Sequence, residues 1–194
     1  MLKPFRQLFS AVLFSSLLSV FPGAHLAFGQ TAASETSRDE TVTRVIYLVR
    51  HAEKETGDPG ERDPVLTEKG RRRAEALARV LRDARIERVY STDYQRTRQT
   101  AAPVAERLGL PVELYDPRDL EGFASTLRTG PASVLVVGHS NTTPELVTQL
   151  GGEPGSDIRE SHEYDRLYVL VLRGDETTTL LQRYGECQSC EEAY

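Results

Sequence analysis

Two short runs of consecutive apolar residues constrain the fold of this chain most. RVIYLV (44–49) and SVLVVG (133–138) contain few polar side chains and are rich in β-branched residues. A strand with this pattern is buried on both faces, which is typical of a parallel sheet covered by helices. The two runs therefore predict an α/β fold in which a mainly parallel sheet carries helices on both faces.

Helical patterns and further strands alternate with these two runs. Residues 66–86 have apolar side chains at helical spacing, with Thr67 as the predicted N-cap and the arginines 71–73 on the solvated face. TDYQRTRQTAAPVAERLG predicts a second helix that ends at Gly109. The segment 165–185 predicts two strands joined by a turn, which is an antiparallel hairpin at the C-terminal end of the domain.

The N-terminal part of the chain is predicted to lie outside the folded domain. Residues 1–29 follow the order of a secretory signal: basic residues, then 14 uncharged and mostly apolar residues, then small residues before a predicted cleavage at Gln30. An uncleaved membrane anchor is the alternative for this segment. Residues 30–43 are expected to be a flexible leader, and residues 44–194 to form one domain in the periplasm or outside the cell.

The negative net charge of the chain limits the kinds of partner that it is expected to bind. A formal charge of -5 at pH 7 disfavours nucleic acid, because phosphate backbones bind basic surfaces. A small phosphorylated substrate needs only a local cluster of positive side chains, so the composition allows it. Neither a P-loop nor a G-x-G-x-x-G pattern occurs in the sequence, and no nucleotide cofactor is predicted.

The two cysteines of the sequence, Cys187 and Cys190, lie close together near its C-terminal end. Two cysteines are too few for a four-ligand zinc site. In an exported protein they are expected to form a local disulfide. Redox catalysis by a Cys-x-x-Cys motif is the less favoured alternative.

Each of the two apolar runs is followed by a histidine. Arg50 and His51 follow the first run, and His139 follows the second. Because ligands bind beyond the carboxyl ends of parallel strands, the two histidines are expected to meet at one crevice. Between them, YSTDYQRTRQT places Arg96 near the start of a helix, where a bound anion would offset its charge, whereas Arg98 is expected at the surface.

These side chains fit the chemistry of phosphoryl transfer. Guanidinium groups bind phosphate oxygens in pairs, and a neutral imidazole is a competent nucleophile toward phosphorus. The reaction mainly needs positioning and neutralisation of charge, which two arginines and a second histidine supply without a metal or another cofactor. The arginines would also repel a cation, so no metal site is predicted. A carboxylic acid is needed nearby to protonate the leaving group.

Three motifs in order, LVRHAEK, YSTDYQRTRQTA and VVGHSN, resemble those of the histidine phosphatase superfamily, also called phosphoglycerate-mutase-like. The resemblance implies that His51 becomes phosphorylated, and that Arg50, Arg96 and His139 hold the phosphate. The late motif lacks the His-Asp pair from which the acid phosphatase branch takes its proton donor. The chain therefore resembles branch 1, which contains mutases, sugar-phosphate phosphatases and small phosphohistidine phosphatases.

The resemblance leaves the proton donor open. Glu121 lies roughly where branch 1 usually supplies this acid. Glu53, two residues after the predicted nucleophile, is the rival, and Asp119 is a third candidate. The first motif also has Ala52 where glycine is common in the family.

The short stretch between Arg96 and His139 lacks the larger helical insert that caps many mutase sites, which implies a more open site. The sequence thus predicts an exported phosphatase of phosphate monoesters or phosphohistidine that acts through a phosphohistidine on His51. The alternatives are a phosphoglycerate-mutase-type phosphotransferase and a phosphate-binding module without turnover. Neither the identity of the substrate nor the oligomeric state is predicted.

Overall fold

The structure is a computed structural model that describes residues 42–57 and 60–186. The predicted signal at 1–29 and the predicted disulfide between Cys187 and Cys190 lie outside the described residues. Within these two ranges, none of the helices combines the length and the apolar character that crossing a membrane requires.

Within the described residues, six strands form one mixed sheet. They are β1 (Thr43–Arg50), β2 (Arg88–Ser91), β3 (Val112–Leu114), β4 (Ser133–Gly138), β5 (Arg166–Arg173) and β6 (Glu176–Arg183). Their order across the sheet is β3-β2-β4-β1-β5-β6. The first four strands are parallel, whereas β5 is antiparallel to both β1 and β6. The mainly parallel sheet and the C-terminal antiparallel hairpin are both confirmed.

The helices of the described residues cover both faces of this sheet. They are α1 (Glu68–Val80), α2 (Gln95–Leu108), α3 (Leu120–Thr129) and α4 (Thr142–Gln149). On one face, α1 and α2 pack against the side of β4 that carries Leu135 and Val137. On the other face, α3 and α4 pack against Val134 and Val136 of the same strand. The apolar run is therefore buried on both faces, as its composition predicted.

The predicted ends of two helices are confirmed. The Thr67 hydroxyl accepts a hydrogen bond from the Gly70 backbone N–H at 3.0 Å, which makes Thr67 the N-cap of α1. Helix α2 ends at Gly109, whose φ of 66° lies in the left-handed region that favours glycine. The loop after β1 therefore ends at Thr67, and the connection from α2 to β3 begins at Gly109.

The centre of the sheet brings the two predicted motifs together. β1 and β4 are parallel neighbours, and their register pairs Arg50 with Gly138. The residues that follow, His51 and His139, therefore leave the sheet at the same edge. The backbone N–H of His51 still donates to the Gly138 carbonyl at 2.9 Å, so the strand geometry extends to the histidine itself.

Candidate active site

His51 is held in one tautomer. Its side chain lies directly after β1, and the residue is only 3% exposed. Its Nδ1 is 2.8 Å from the carbonyl oxygen of Ala52. Because a carbonyl oxygen can only accept, Nδ1 must carry the proton of the neutral ring. The lone pair is then on Nε2, as a nucleophile requires.

His139 is oriented by a chain of two hydroxyl groups. The Thr97 hydroxyl lies 2.9 Å from the carbonyl oxygens of Thr92 and Tyr94, and we assign its single proton to one of them. The Thr92 hydroxyl, 2.9 Å from Thr97 Oγ1, must then donate to it. Thr92 Oγ1 therefore accepts from His139 Nε2, which is also 2.9 Å away. In this tautomer the Nδ1 of His139 is available to take up a second proton beside an anion.

Arg50 is a buried cation with one N–H group that makes no hydrogen bond within the described residues. It is 2% exposed, and its guanidinium lies 4.0 Å from the centre of the Tyr164 ring. Nη1 donates to the Glu163 carbonyl at 3.0 Å and Nη2 to the Glu160 carbonyl at 2.7 Å. The Nε–H is buried and has no hydrogen-bond partner in the described part of the chain.

Arg96 has the same unpaired donor. It lies in the first turn of α2, with its guanidinium 4.3 Å from the centre of the Tyr94 ring. Its Nη1 is 3.8 Å from the carboxylate of Asp63, and its Nε–H is buried without a partner among residues 42–57 and 60–186. Buried polar groups in proteins are nearly always paired, so two unpaired N–H groups on cations indicate a site for an anion.

Three of the predicted site residues line one open cleft. His51, Arg96 and His139 line it, together with Lys54 and Glu160, and its volume is about 510 Å³. The ring centres of the two histidines are 5.6 Å apart. A larger groove of about 640 Å³ lies between α1 and α2, but none of the predicted site residues lines it.

The three predicted proton donors are not among the residues that line the cleft. Glu121 is exposed in the first turn of α3. Asp119 is the N-cap of that helix, and its carboxylate accepts from the Gly122 N–H at 3.0 Å. The carboxylate of Glu53 accepts from Nε and Nη2 of Arg73 at 3.0 to 3.1 Å.

Arg73 was expected on the solvated face of α1, and this expectation is wrong. The residue is 3% exposed, and its Nη1 also donates to the Tyr184 carbonyl at 2.8 Å. Because Glu53 lies in the loop after β1, the pair joins that loop to α1. Glu53 is therefore the salt-bridge partner of a buried arginine, a role that the sequence left open for it.

Comparisons with known proteins agree with this arrangement. The family model described as "Histidine phosphatase superfamily (branch 1)" matches residues 46–117, which include His51 and Arg96. This match supports branch 1 of the histidine phosphatase superfamily as the family of the chain. His139 lies beyond the matched residues, and the geometry of the sheet places it in the same site.

The chain is similar to a protein named as a mutase and to proteins named as phosphohistidine phosphatases. The probable phosphoglycerate mutase GpmB of Yersinia pestis (strain Pestoides F) is 32% identical over 126 residues, which are 63% of this chain and 57% of GpmB. The protein histidine phosphatase SixA, solved with tungstate, aligns with a TM-score of 0.58 at 22% identity, over 72% of this chain and 96% of SixA. A protein of Agrobacterium tumefaciens named after SixA aligns with a TM-score of 0.57 at 26% identity, over 74% and 98% of the two chains. The chain thus matches little more than half the length of its curated relative.

Both histidines of the site are held neutral. Burial lowers the pKa of His51 to about 3; the hydrogen bond to Ala52 opposes this, and the charges of Arg50, His139 and Arg96 add to it. Burial also lowers the pKa of His139 to about 4, and the charges of Arg96 and Arg50 lower it further. A neutral His51 keeps the lone pair that phosphoryl transfer needs.

The low pKa values of the two histidines predict acid sensitivity. Unfolded histidines titrate near 6.5, so below this pH the unfolded chain binds more protons than the folded one. The free energy of unfolding is therefore expected to fall as the pH falls from about 6.5 to about 3. Urea denaturation at several pH values measures this, and ¹⁵N NMR titration assigns it to His51 and His139. A His51 midpoint near 6.5 would contradict the prediction.

The acid limb that belongs to Glu163 overlaps only the lower end of this window. Burial raises the pKa of Glu163, but hydrogen bonds from Arg166, the Arg159 backbone N–H and Arg183 outweigh burial and lower the pKa to about 2. This carboxylate stabilises the fold fully above its unfolded pKa. Its contribution is lost only as the pH falls from about 4.5 to about 2.

Replacing Glu53 with glutamine is expected to destabilise the fold by about 3 kcal/mol, because Arg73 would then be a buried cation without its counter-charge. Urea denaturation at pH 7 measures the change. The matched control is Glu68→Gln, which removes an exposed ion pair with Arg72 and should cost under about 0.5 kcal/mol. Equal effects of the two variants would show that Glu53 has no structural role.

Proposed function

We propose that this chain is a phosphatase that hydrolyses phosphate monoesters or phosphohistidine through a phosphohistidine on His51. One observation carries the proposal: an unprotonated, buried Nε2 lies beside two cations whose Nε–H groups have no partner in the described residues. This arrangement combines a nucleophile with an anion site. The positive charge of the two arginines suits a phosphoryl group, because the charge on its three equatorial oxygens must be neutralised during transfer.

The proposed reaction has two in-line steps. His51 Nε2 attacks phosphorus, and the P–N bond forms while the bond to the leaving oxygen breaks. Arg50 and Arg96 donate their Nε–H groups to the phosphoryl oxygens, and protonated His139 donates through Nδ1. These donors are already in place, so they stabilise the charge of the transition state with little reorganisation. Water then attacks phosphorus and releases His51.

The openness of the cleft favours a phosphatase over a mutase. A mutase must keep water away from its phosphohistidine until the phosphoryl group returns to an organic acceptor. Between β3 and β4 the described chain has a single helix, α3, of 10 residues. The phosphotransferase reading is the second candidate, because of the 32% identity to a protein named as a phosphoglycerate mutase.

One assay separates these functions. The mature chain is incubated with a panel of phosphate monoesters, a phosphohistidine peptide and 3-phosphoglycerate. Release of inorganic phosphate is expected from at least one of the first two classes. Conversion of 3-phosphoglycerate to its isomer without phosphate release would instead show a mutase. Binding of phosphate without either reaction would show a binding module.

We further propose that the protein is exported with residues 1–29 as a cleaved signal. The proposal is supported by the order of basic, apolar and small residues in this segment. N-terminal sequencing of the protein from a periplasmic or culture-medium fraction tests it, and Gln30 is the expected first residue. A protein that stays in the membrane fraction with an intact N-terminus would be anchored instead.

A further inference from the structure

The leaving group needs a proton, and one residue of the cleft lining carries a carboxyl group. Of the described residues that line the cleft, Glu160 alone carries an acidic side chain. The nearby acids are bound elsewhere. Asp63 accepts from the backbone N–H of Gln95 at 2.8 Å, and Asp116 accepts from Arg118 at 2.8 and 2.9 Å.

The backbone of Glu160 is tied to the catalytic arginine. Its carbonyl oxygen accepts from Arg50 Nη2 at 2.7 Å, while the Glu163 carbonyl accepts from Nη1 of the same guanidinium. Arg50 therefore holds both ends of a tight turn. Since Arg50 lies next to His51 in the chain, this contact sets the distance between the turn and the nucleophile.

The base of the turn is clamped by buried charges. The Glu163 backbone N–H donates to the Arg159 carbonyl at 2.9 Å, which closes the turn around residue 160. The Glu163 carboxylate accepts from Arg166 Nε at 2.7 Å and from Arg183 Nη1 at 2.8 Å. The strands β5 and β6 thus hold the turn that carries Glu160, although the residue itself is exposed.

The exposed position of Glu160 suits a group that protonates the leaving oxygen. In an in-line attack, the leaving group departs on the side opposite the nucleophile. His51 is buried at the inner end of the cleft, so the leaving group departs toward solvent. The charge of Glu160 acts on Arg50, which places its carboxylate within the electrostatic field of the phosphate site.

We propose that Glu160 is the general acid and base of the reaction, an assignment that rests on the phosphatase function proposed above. In the first step, the electrons of the breaking P–O bond pass to the leaving oxygen, which takes the carboxyl proton. In the second step, the water that attacks phosphorus gives a proton to the Glu160 carboxylate, and the electrons of the P–N bond return to His51 Nε2. The carboxyl group is then ready for the next substrate.

The test compares two substrates in Glu160→Gln. An alkyl phosphate needs a proton on its leaving oxygen, whereas 4-nitrophenyl phosphate leaves as a stable phenolate and does not. The variant is expected to lower kcat/KM for the alkyl ester about 100-fold or more and for the nitrophenyl ester less than about fivefold. It should also show a burst of nitrophenolate, because phosphohistidine accumulates when water is not activated. The backbone contact to Arg50 is kept in this variant.

Matched variants decide between donors. Glu153→Gln replaces an exposed glutamate outside the cleft lining and should behave as the wild type with both esters. The assignment would be overturned if kcat/KM depended on the leaving group in Glu121→Gln but not in Glu160→Gln. It would also be overturned if Glu160→Gln lowered kcat/KM equally for both esters, or for neither. A wild-type chain inactive on both esters and on phosphohistidine would instead overturn the phosphatase function itself.

Discussion

Replacing His51 with alanine is expected to lower turnover of a phosphate ester by about 10⁴-fold or more, because the covalent route through phosphohistidine is lost. Steady-state phosphate release measures this effect. Acid-labile, base-stable phosphate should also disappear from the protein after rapid mixing with substrate and quenching. The fold should persist, since His51 makes its backbone bond to Gly138 through the main chain.

The matched control is Glu153→Gln, an exposed residue outside the lining of the cleft. Its turnover should stay within about twofold of the wild type. Peptide mapping of the trapped phosphate should locate it on His51. Full turnover by His51→Ala, or phosphate mapped to His139, would refute the nucleophile assignment.

Replacing Arg96 with alanine is expected to lower kcat/KM about 100- to 1,000-fold, because a donor to the transferring phosphoryl group is removed. The loss should include weaker inhibition by inorganic phosphate, which binds the same Nε–H. Arg96→Lys should recover only part of the activity, because an ammonium group cannot reproduce the planar guanidinium. Steady-state kinetics and phosphate inhibition measure both effects.

Arg98, two residues after Arg96 on α2, provides the control. The side chain of Arg98 is 47% exposed and its Nη1 lies 3.1 Å from the Asp93 carboxylate. Arg98→Ala should therefore leave kcat/KM within about twofold of the wild type. A similar loss in both variants would mean that the general positive charge of α2, rather than the Arg96 donor, supports the reaction.

The sequence determined the sheet and the position of its reactive edge. Runs of apolar residues with no polar face can only be buried on both sides, and the chain satisfies this by placing helices on both faces. A parallel arrangement then puts the ends of β1 and β4 at one edge, which is why His51 and His139 could be expected to meet. The composition of short stretches was sufficient to predict these features, because burial and strand direction depend on such stretches.

The contacts between distant segments could not be predicted in the same way. Arg73 has the helical spacing of a surface residue, and only the packing of α1 against the loop after β1 shows that it binds Glu53. The hydroxyls of Thr92 and Thr97 looked like ordinary loop and helix residues until their bonds set the tautomer of His139. Both findings depend on where whole elements lie relative to each other.

The proton donor shows this division most clearly. Sequence position favoured Glu121, but this residue is exposed on α3, and the acidic residue of the cleft lining is Glu160, 39 residues further along the chain. The sequence by itself determined the fold class, the nucleophile candidate and its arginines, because these follow strand ends. The tertiary structure alone shows that Glu160 belongs to the cleft lining, because that depends on a turn held by Arg50 and by the buried charges of β5 and β6.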